Sequence, residues 1–173
     1  DMAGKRTNFE ELNANEFYLS TFKEAFGGQS RTIGNYWSQI ALKPENVLYM
    51  NRADADRMGF NENDWVTIVS DSDPTGTYNL HNGKILKVKA LLRPVEGLKP
   101  NVVTISWHYG HWAYGGNDVT VDNQLVKGDK RRRDTACPNP VMAIDPALKN
   151  MCLTDPIGGS ASFLNTKVRI IKV

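Results

Sequence analysis

The spacing of apolar and polar positions predicts a chain built mainly of short strands. Continuous runs of β-branched and aromatic residues favour fully buried strands, and alternating positions favour half-exposed ones. Both patterns recur along the chain, with turn residues between them. The predicted strands cover residues 16–23, 47–50, 65–70, 85–91, 102–105 and 167–173.

A short helix is predicted directly after the second of these strands, between Asn51 and Gly59. Asn51 is the candidate N-cap, because its side-chain oxygen can accept a hydrogen bond from a backbone N–H of the first turn. Gly59 is the candidate residue that ends the helix in the left-handed conformation. Because strands are many, helices are short and no segment repeats, the pattern predicts a mostly-β barrel with one or two short helices.

The connections between these elements are rich in Gly, Pro, Asn and Asp, which favour turns. Residues 71–82 are expected to form a loop or an irregular hairpin, and residues 93–100 a turn-rich connection. Residues 119–145 are expected to be irregular, and connections of that length are usually functional or disordered. Residues 1–15 are expected to form a flexible N-terminal segment, so the predicted domain covers residues 16–173.

The length and the net charge of the chain limit the kinds of molecule that it is expected to bind. A chain of 173 residues is expected to fold as one domain. Its net charge of +2 is too small to indicate nucleic-acid binding, and the basic run at 127–133 has no interleaved aromatic residues. That run is interpreted as a solvated surface loop, and no nucleic-acid partner is expected. No apolar segment is long enough to cross a membrane, so no direct membrane contact is expected.

The two cysteines, Cys137 and Cys152, form no Cys-x-x-Cys pair and have no histidine at metal-ligand spacing, so no zinc site is expected. The sequence leaves open whether they form one disulfide or remain two buried thiols. The chain begins at Asp1 rather than at Met, as a processed chain or a piece of a longer protein would.

One segment concentrates ring-bearing side chains that can form hydrogen bonds. Residues 106–117 hold two of the three histidines, two of the four tryptophans and three glycines, directly after the predicted strand at 102–105. Glycines let a ligand approach the backbone, and the rings offer stacking faces and N–H donors. The cluster favours a binding site for a flat heteroaromatic ligand, although any one of its rings could simply cover the core.

Four further motifs occur in an order that resembles one known family. They lie at residues 46–55, at 58–66, at 136–140 together with 154–159, and at 167–170. Together they resemble the C-terminal domain of the molybdopterin oxidoreductases of the dimethyl sulfoxide reductase family. Asn63 stands where that family has Gly, a departure that affects only the expected turn conformation. Within the family, residues 106–112 and 153–163 look most like tetrathionate reductase catalytic subunits, with thiosulfate, polysulfide and arsenate enzymes as close competitors.

This resemblance implies a six-stranded double-psi β-barrel that closes over bis-molybdopterin guanine dinucleotide, which carries molybdenum or tungsten. It implies that the metal ligand and the iron–sulfur cysteines belong to earlier domains of a longer catalytic subunit, so that this chain neither ligates the metal nor turns over substrate alone. The implied partners are an iron–sulfur electron-transfer subunit and the rest of the catalytic subunit. The implied reaction of the parent is two-electron reduction of a sulfur oxyanion such as tetrathionate in anaerobic respiration, outside the cytoplasm.

The resemblance also implies a set of cofactor-contacting residues, and none that is catalytic or binds metal. The set is Gln29, Ser30, Arg31, Thr32, Trp107, His108, Tyr109, His111, Asn139 and Phe163. Arg31 is expected to supply charge, since a guanidinium suits pyrophosphate. His108 is expected to contact the pterin nearest the metal, and Asn139 to read a pterin edge. Arg31 could instead form a surface salt bridge, Asn139 a turn before Pro140, and Phe163 part of the core.

Two other classes of function remain as alternatives. A stand-alone double-psi barrel could recognise a peptide or protein, in which case the aromatic and imidazole cluster would contact that partner. A self-contained hydrolase would need a Ser/His/Asp arrangement or paired carboxylates, and the sequence offers no evident set of either.

Overall fold

The computed structural model of the protein describes residues 12–25, 37, 45–79, 81, 83–110, 116–130, 135, 137–155, 157–164 and 166–173. Within these ranges the chain forms ten strands. They are β1 (Glu16–Phe22), β2 (Val47–Asn51), β3 (Trp65–Ser70), β4 (Thr77–Asn79), β5 (Ile85–Lys87), β6 (Lys89–Val95), β7 (Val102–Ser106), β8 (Val119–Val121), β9 (Gln124–Val126) and β10 (Thr166–Lys172). The helix Arg52–Met58 is called α1, and Asn139–Val141 forms a 3₁₀ helix.

Six strands close into a barrel in the order β1-β10-β3-β6-β2-β7. β1 pairs in parallel with β7, and β2 pairs in parallel with β6. The other four pairs are antiparallel. Because the members of each parallel pair are distant in sequence, the chain crosses the barrel twice, which gives the double-psi arrangement. The predicted mostly-β, six-stranded double-psi barrel is confirmed.

The core is formed by alternate residues of the barrel strands, whose side chains point inward. Each of them is at most 4% exposed, and burial of such a side chain contributes about 1.5–3 kcal/mol. The inward residues include Phe17, Leu19, Leu48, Met50, Ile68, Leu92, Val103, Ile105, Val168 and Ile170. The outward positions between them are half-buried in β1, β6 and β7. This includes β7, whose continuous apolar run predicts a buried strand.

Helix α1 begins and ends as predicted. The Asn51 side chain accepts a hydrogen bond from the Ala53 N–H at 2.9 Å, and Gly59 has a φ of 70° in the left-handed region. The helix also carries a buried carboxylate: Asp54 accepts a hydrogen bond from the Asn101 N–H at 2.6 Å and pairs with Arg57 at 3.0 Å. Asp54 therefore joins the helix to the turn that precedes β7.

The prediction of one strand over 85–91 is wrong, because that segment belongs to two sheets. Residues 85–87 form β5, which pairs with β4 in a hairpin, and β6 starts at Lys89. Val88 lies between them, fully buried, and its N–H donates to the Gly76 carbonyl at 2.7 Å. β6 then continues to Val95, so the turn predicted from residue 93 begins three residues later than expected.

The segment after β7 contains more regular structure than predicted. Residues 119–126 form the β8–β9 hairpin within the stretch expected to be irregular. Two turns follow the 3₁₀ helix: the Lys149 N–H donates to the Asp145 carbonyl at 2.8 Å, and the Gly159 N–H donates to the Asp155 carbonyl at 2.9 Å.

Candidate functional site

A cavity of about 580 Å³ opens beside the carboxyl ends of β1 and β7. Its volume lies in the range of small-molecule and cofactor sites. Three parts of the chain form its walls: the ends of β1 and β7, the 3₁₀ helix, and the segment that precedes β10. The lining residues are Thr21, Lys23, Trp107, Asn139, Met142, Cys152, Ala161, Ser162 and Phe163.

The first wall exists because β1 and β7 are parallel neighbours. Phe22 pairs with Ser106, so Lys23 and Trp107 leave the barrel side by side. The Trp107 N–H donates to the Phe22 carbonyl at 3.4 Å, which continues the ladder by one residue. The Lys23 ammonium lies 5.7 Å from the centroid of the Trp107 ring, within the range of a cation–π interaction. This wall therefore presents a positive charge beside a flat apolar ring.

His108 lies behind this wall, and it is not among the residues that line the cavity. It is 1% exposed, and its ring is tilted by 50° against the Trp107 ring with the centroids 4.7 Å apart. Its Nδ1 atom accepts a hydrogen bond from the Glu24 N–H at 3.3 Å, so the neutral ring carries its proton on Nε2. The backbone N–H of His108 also donates to the Ser106 hydroxyl at 3.3 Å. Tyr109 is likewise buried, at 2% exposed.

The second wall is formed by the 3₁₀ helix. Asn139 is exposed at its start, and Met142 follows its end with 9% exposure. The Met142 N–H donates to the Asn139 carbonyl at 3.2 Å, which fixes the turn. Cys137 precedes the helix; burial raises the pKa of its thiol, and a hydrogen bond from the Asn139 N–H opposes that rise.

The third wall comes from the segment between the 3₁₀ helix and β10. Isolated bridges pair Ile144 with Cys152 and Thr154 with Ala161. The Ser162 N–H donates to the Leu153 carbonyl at 2.7 Å, which holds the segment against itself. Phe163 lies at the end of this wall and is 49% exposed, so its ring face is open to a ligand or to a neighbouring domain.

The structure brings together Trp107, Asn139 and Phe163, three of the residues predicted from the sequence, although they are far apart in the chain. His108 and Tyr109 are buried. Gln29, Ser30, Arg31, Thr32 and His111 lie outside the described residues. The sequence-based prediction missed the remaining lining residues, of which Lys23 is the most informative. Its signal is a cation directly after a strand, but only the parallel pairing of β1 with β7 places it beside Trp107.

Both cysteines are free thiols, so the disulfide alternative is wrong. Cys152 is exposed, so the alternative of two buried thiols is also wrong for that residue. Among the described residues, no group of three or more His, Cys, Asp or Glu could hold a metal ion. Across the same residues, no helix combines the length and hydropathy needed to span a membrane.

The cavity combines one cation, an amide, two hydroxyls and two aromatic rings in a lining that is otherwise apolar. An amide and hydroxyls suit the donors and acceptors on the edge of a heterocycle, and the rings suit its faces. These features define a double-psi barrel domain with a cavity whose lining is chemically suited to a flat, polar-edged and anionic ligand. The chain matches the molydopterin dinucleotide binding domain family over residues 17–140, and it belongs to that family.

A selenate reductase subunit of Mesobacillus selenatarsenatis (strain DSM 18680 / JCM 14380 / FERM P-15431 / SF-1) is 43% identical over 173 residues, which cover all of this chain. The chain spans 16% of the length of that relative. The solved structure of acetylene hydratase from Pelobacter acetylenicus matches 91% of this chain and 18% of its own, with a TM-score of 0.57 and 16% identity. That likeness shows the shared fold.

Proposed function

We propose that this chain is one domain of a longer molybdenum oxidoreductase subunit, and that the cavity beside β1 and β7 receives part of a bis-molybdopterin guanine dinucleotide cofactor. The observation that carries the proposal is the convergence of Lys23, Trp107, Asn139 and Phe163 on one cavity. Membership of a dinucleotide-binding family supports it, and favours this function over a stand-alone peptide-recognition barrel.

The lining residues fit the chemistry of a pterin dinucleotide. The Lys23 ammonium would attract a phosphate or an anionic oxygen, and the Asn139 amide would donate to and accept from a pterin edge. Trp107 and Phe163 would cover ring faces and exclude water. Arg31 and the hydroxyls of Ser30 and Thr32 would add contacts to the phosphates, as the family resemblance implies. When bound, the cofactor supplies the metal centre at which electrons are exchanged with the substrate.

The parent is proposed to reduce an oxyanion by two electrons, with selenate as the first substrate to test, because a relative with 43% identity is a selenate reductase subunit. Tetrathionate, which the sequence motifs favour, has no support from that relative and serves as the comparison substrate. The proposed electron source is an iron–sulfur centre in the rest of the subunit, together with an iron–sulfur partner subunit, in an enzyme that works outside the cytoplasm. This domain contributes the cofactor's orientation and its shielding from water.

The binding proposal is tested by Lys23→Gln in the full-length subunit. The variant should retain about tenfold less molybdenum and pterin after dilution and gel filtration, a change that corresponds to about 1.4 kcal/mol. Lys89→Gln is the matched control, because Lys89 lies 4.8 Å from the Trp65 ring centroid in a second cation–π pair that is not part of the cavity. Equal cofactor retention in the two variants would refute the role of this cavity.

The substrate proposal is tested separately with an artificial electron donor and the cofactor-loaded subunit. Selenate should be reduced with a higher kcat/KM than tetrathionate. A preference for tetrathionate, or reduction of neither anion, would refute selenate as the substrate and leave the cofactor measurement unaffected.

A further inference from the structure

The β8–β9 hairpin forms a two-stranded sheet separate from the barrel. Asp122 and Asn123 connect its strands with φ values of 49° and 61°, as a two-residue type I′ turn requires. Every residue of both strands is exposed. A two-stranded hairpin without cover is only marginally stable in water, so a hairpin of this kind is expected to pack against another surface.

The base of the hairpin is held in a fixed arrangement. The Asp118 carboxylate accepts a hydrogen bond from the Gly128 N–H at 3.0 Å and one from Lys127 at 3.2 Å. These bonds lower the pKa of Asp118, with the Gly128 N–H as the largest cause. A Cβ at Gly128 would lie 2.4 Å from the Asn117 carbonyl carbon, so the two ends of the hairpin are in close contact. The hairpin therefore presents a preformed surface.

One face of the hairpin carries three valines, one glutamine and no charged residue. Val119 and Val121 point to the same side of β8, and the register places Val126 opposite Val119 and Gln124 opposite Val121. The three valines are 51–53% exposed. Thr120 lies on the opposite face beside Leu125, which is 58% exposed. We call the surface formed by Val119, Val121, Gln124 and Val126 the valine face.

We propose that the valine face docks against the remainder of the longer subunit to which this domain belongs. The relative that matches the whole chain has 84% of its length outside the matched region, so an intrachain neighbour of ample size is available there. Permanent interfaces are more apolar than transient ones, and charged residues are depleted at their cores. An uncharged set of valines therefore fits a permanent neighbour within the same subunit better than an electron-transfer subunit that binds and leaves. This inference rests on the proposed function only in placing the chain within a longer subunit.

The test uses hydrogen exchange in the full-length subunit, with and without its iron–sulfur partner. Backbone amides of residues 119–126 should exchange about a hundredfold more slowly than their unstructured rates when no partner is present, because docking suppresses local opening. Rates near the unstructured values would overturn the proposal. Protection that appears only after the partner subunit is added would also overturn it.

A pair of variants tests the face itself. Val121→Asp should lower the Tm of the full-length subunit by several degrees, whereas Thr120→Asp puts the same charge one residue away on the opposite face and should change it little. Equal effects of the two variants would overturn the proposal. If the Val121→Asp subunit does not accumulate, Val121→Thr is compared with Thr120→Asp instead. The decrease in Tm expected for Val121→Thr is smaller. Cofactor content is measured in the same samples, so failure of the hairpin to dock is distinguished from failure of the domain to bind cofactor.

Discussion

The Nδ1 atom of His108 and the backbone N–H of Glu24 form a hydrogen bond of 3.3 Å, which joins the loop after β7 to the loop after β1. Each residue directly follows one that lines the cavity, since Lys23 precedes Glu24 and Trp107 precedes His108. His108 also contacts the Trp107 ring from behind. The imidazole is therefore placed to fix the separation of the ammonium and the indole that face the ligand.

Substitution of His108 should change the cavity through this hydrogen bond. In His108→Asn, the side-chain oxygen replaces Nδ1 as the acceptor, so we expect cofactor retention near that of the unchanged subunit. In His108→Leu, this part-buried hydrogen bond from the Glu24 N–H is lost, which costs about 0.5–1.5 kcal/mol. Molybdenum content and the Trp107 fluorescence maximum should change in the leucine variant and be restored by asparagine. Loss of cofactor in both variants would instead favour direct contact through Nε2.

Two glycines in the left-handed region should differ in their response to alanine. Gly110 has a φ of 80°, and a Cβ there would lie 2.3 Å from the Cys137 backbone nitrogen. Gly59 has a φ of 70° with nothing within 4 Å of its Cβ position. Gly59→Ala should therefore cost about 1–2 kcal/mol from backbone strain alone. Gly110→Ala should lower the free energy of unfolding by more, because the loop after β7 must also move away from Cys137. Urea unfolding of the 173-residue chain measures both decreases. Equal decreases for the two variants would contradict the close contact between Gly110 and Cys137.

Five of the six barrel strands and both helix ends were predictable because they depend on neighbours in sequence. The Asn51 cap and the Gly59 terminus are local, and alternation marks the inward side of β10. The parallel pairing of β1 with β7 is not encoded in any local pattern, because the two strands are neighbours in space but far apart along the chain, with β2, β3 and β6 between them in sequence. For that reason Lys23 could not be assigned to the site, whereas Trp107 could be assigned through its motif.

The β8–β9 hairpin was missed although its signal is present. Residues 119–126 read as the alternating triplet Val-Thr-Val and the β-favouring triplet Gln-Leu-Val around Asp-Asn, a dipeptide whose residues tolerate positive φ. The whole stretch of residues 119–145 was predicted to be irregular because it is long and rich in polar residues, and the hairpin within it was therefore not predicted. By contrast, the sequence could not have shown that the β4–β5 hairpin ends and the barrel begins at Val88. The alternation of apolar and polar residues continues through Val88, whereas its backbone hydrogen bonds mark the change from one sheet to the other.

Acid should weaken the start of the barrel through Glu16. Its carboxylate accepts hydrogen bonds from the backbone N–H and the side-chain amide of Asn13, both at 2.9 Å. The backbone bond is the larger cause that lowers the pKa of Glu16 from its ordinary value of 4.5. A folded-state pKa below the unfolded value contributes stability that is full above pH 4.5 and is lost as pH falls through the folded pKa.

Glu16→Gln should therefore lower the urea midpoint of the 173-residue chain at pH 7, and this difference should be smaller at pH 3, because acid protonates a growing fraction of the Glu16 carboxyl in the unmodified chain. The measurement is a pair of unfolding curves at each pH. A difference of equal size at both pH values would show that the contribution of Glu16 does not depend on its charge.

The two thiols should react at very different rates. Cys152 is exposed and lines the cavity, whereas burial raises the pKa of Cys137 and reduces its thiolate fraction at neutral pH. Iodoacetamide at pH 8 should therefore alkylate Cys152 first, and peptide mass spectrometry of the full-length subunit resolves the two sites. Because the proposed cofactor would cover Cys152, its alkylation should be about tenfold slower in cofactor-loaded subunit than in cofactor-free subunit, as expected for a site that is mostly occupied. Cys137→Ser is the control, since it should leave that ratio unchanged. Equal rates in the loaded and cofactor-free subunits would show that the cavity is not where the cofactor binds.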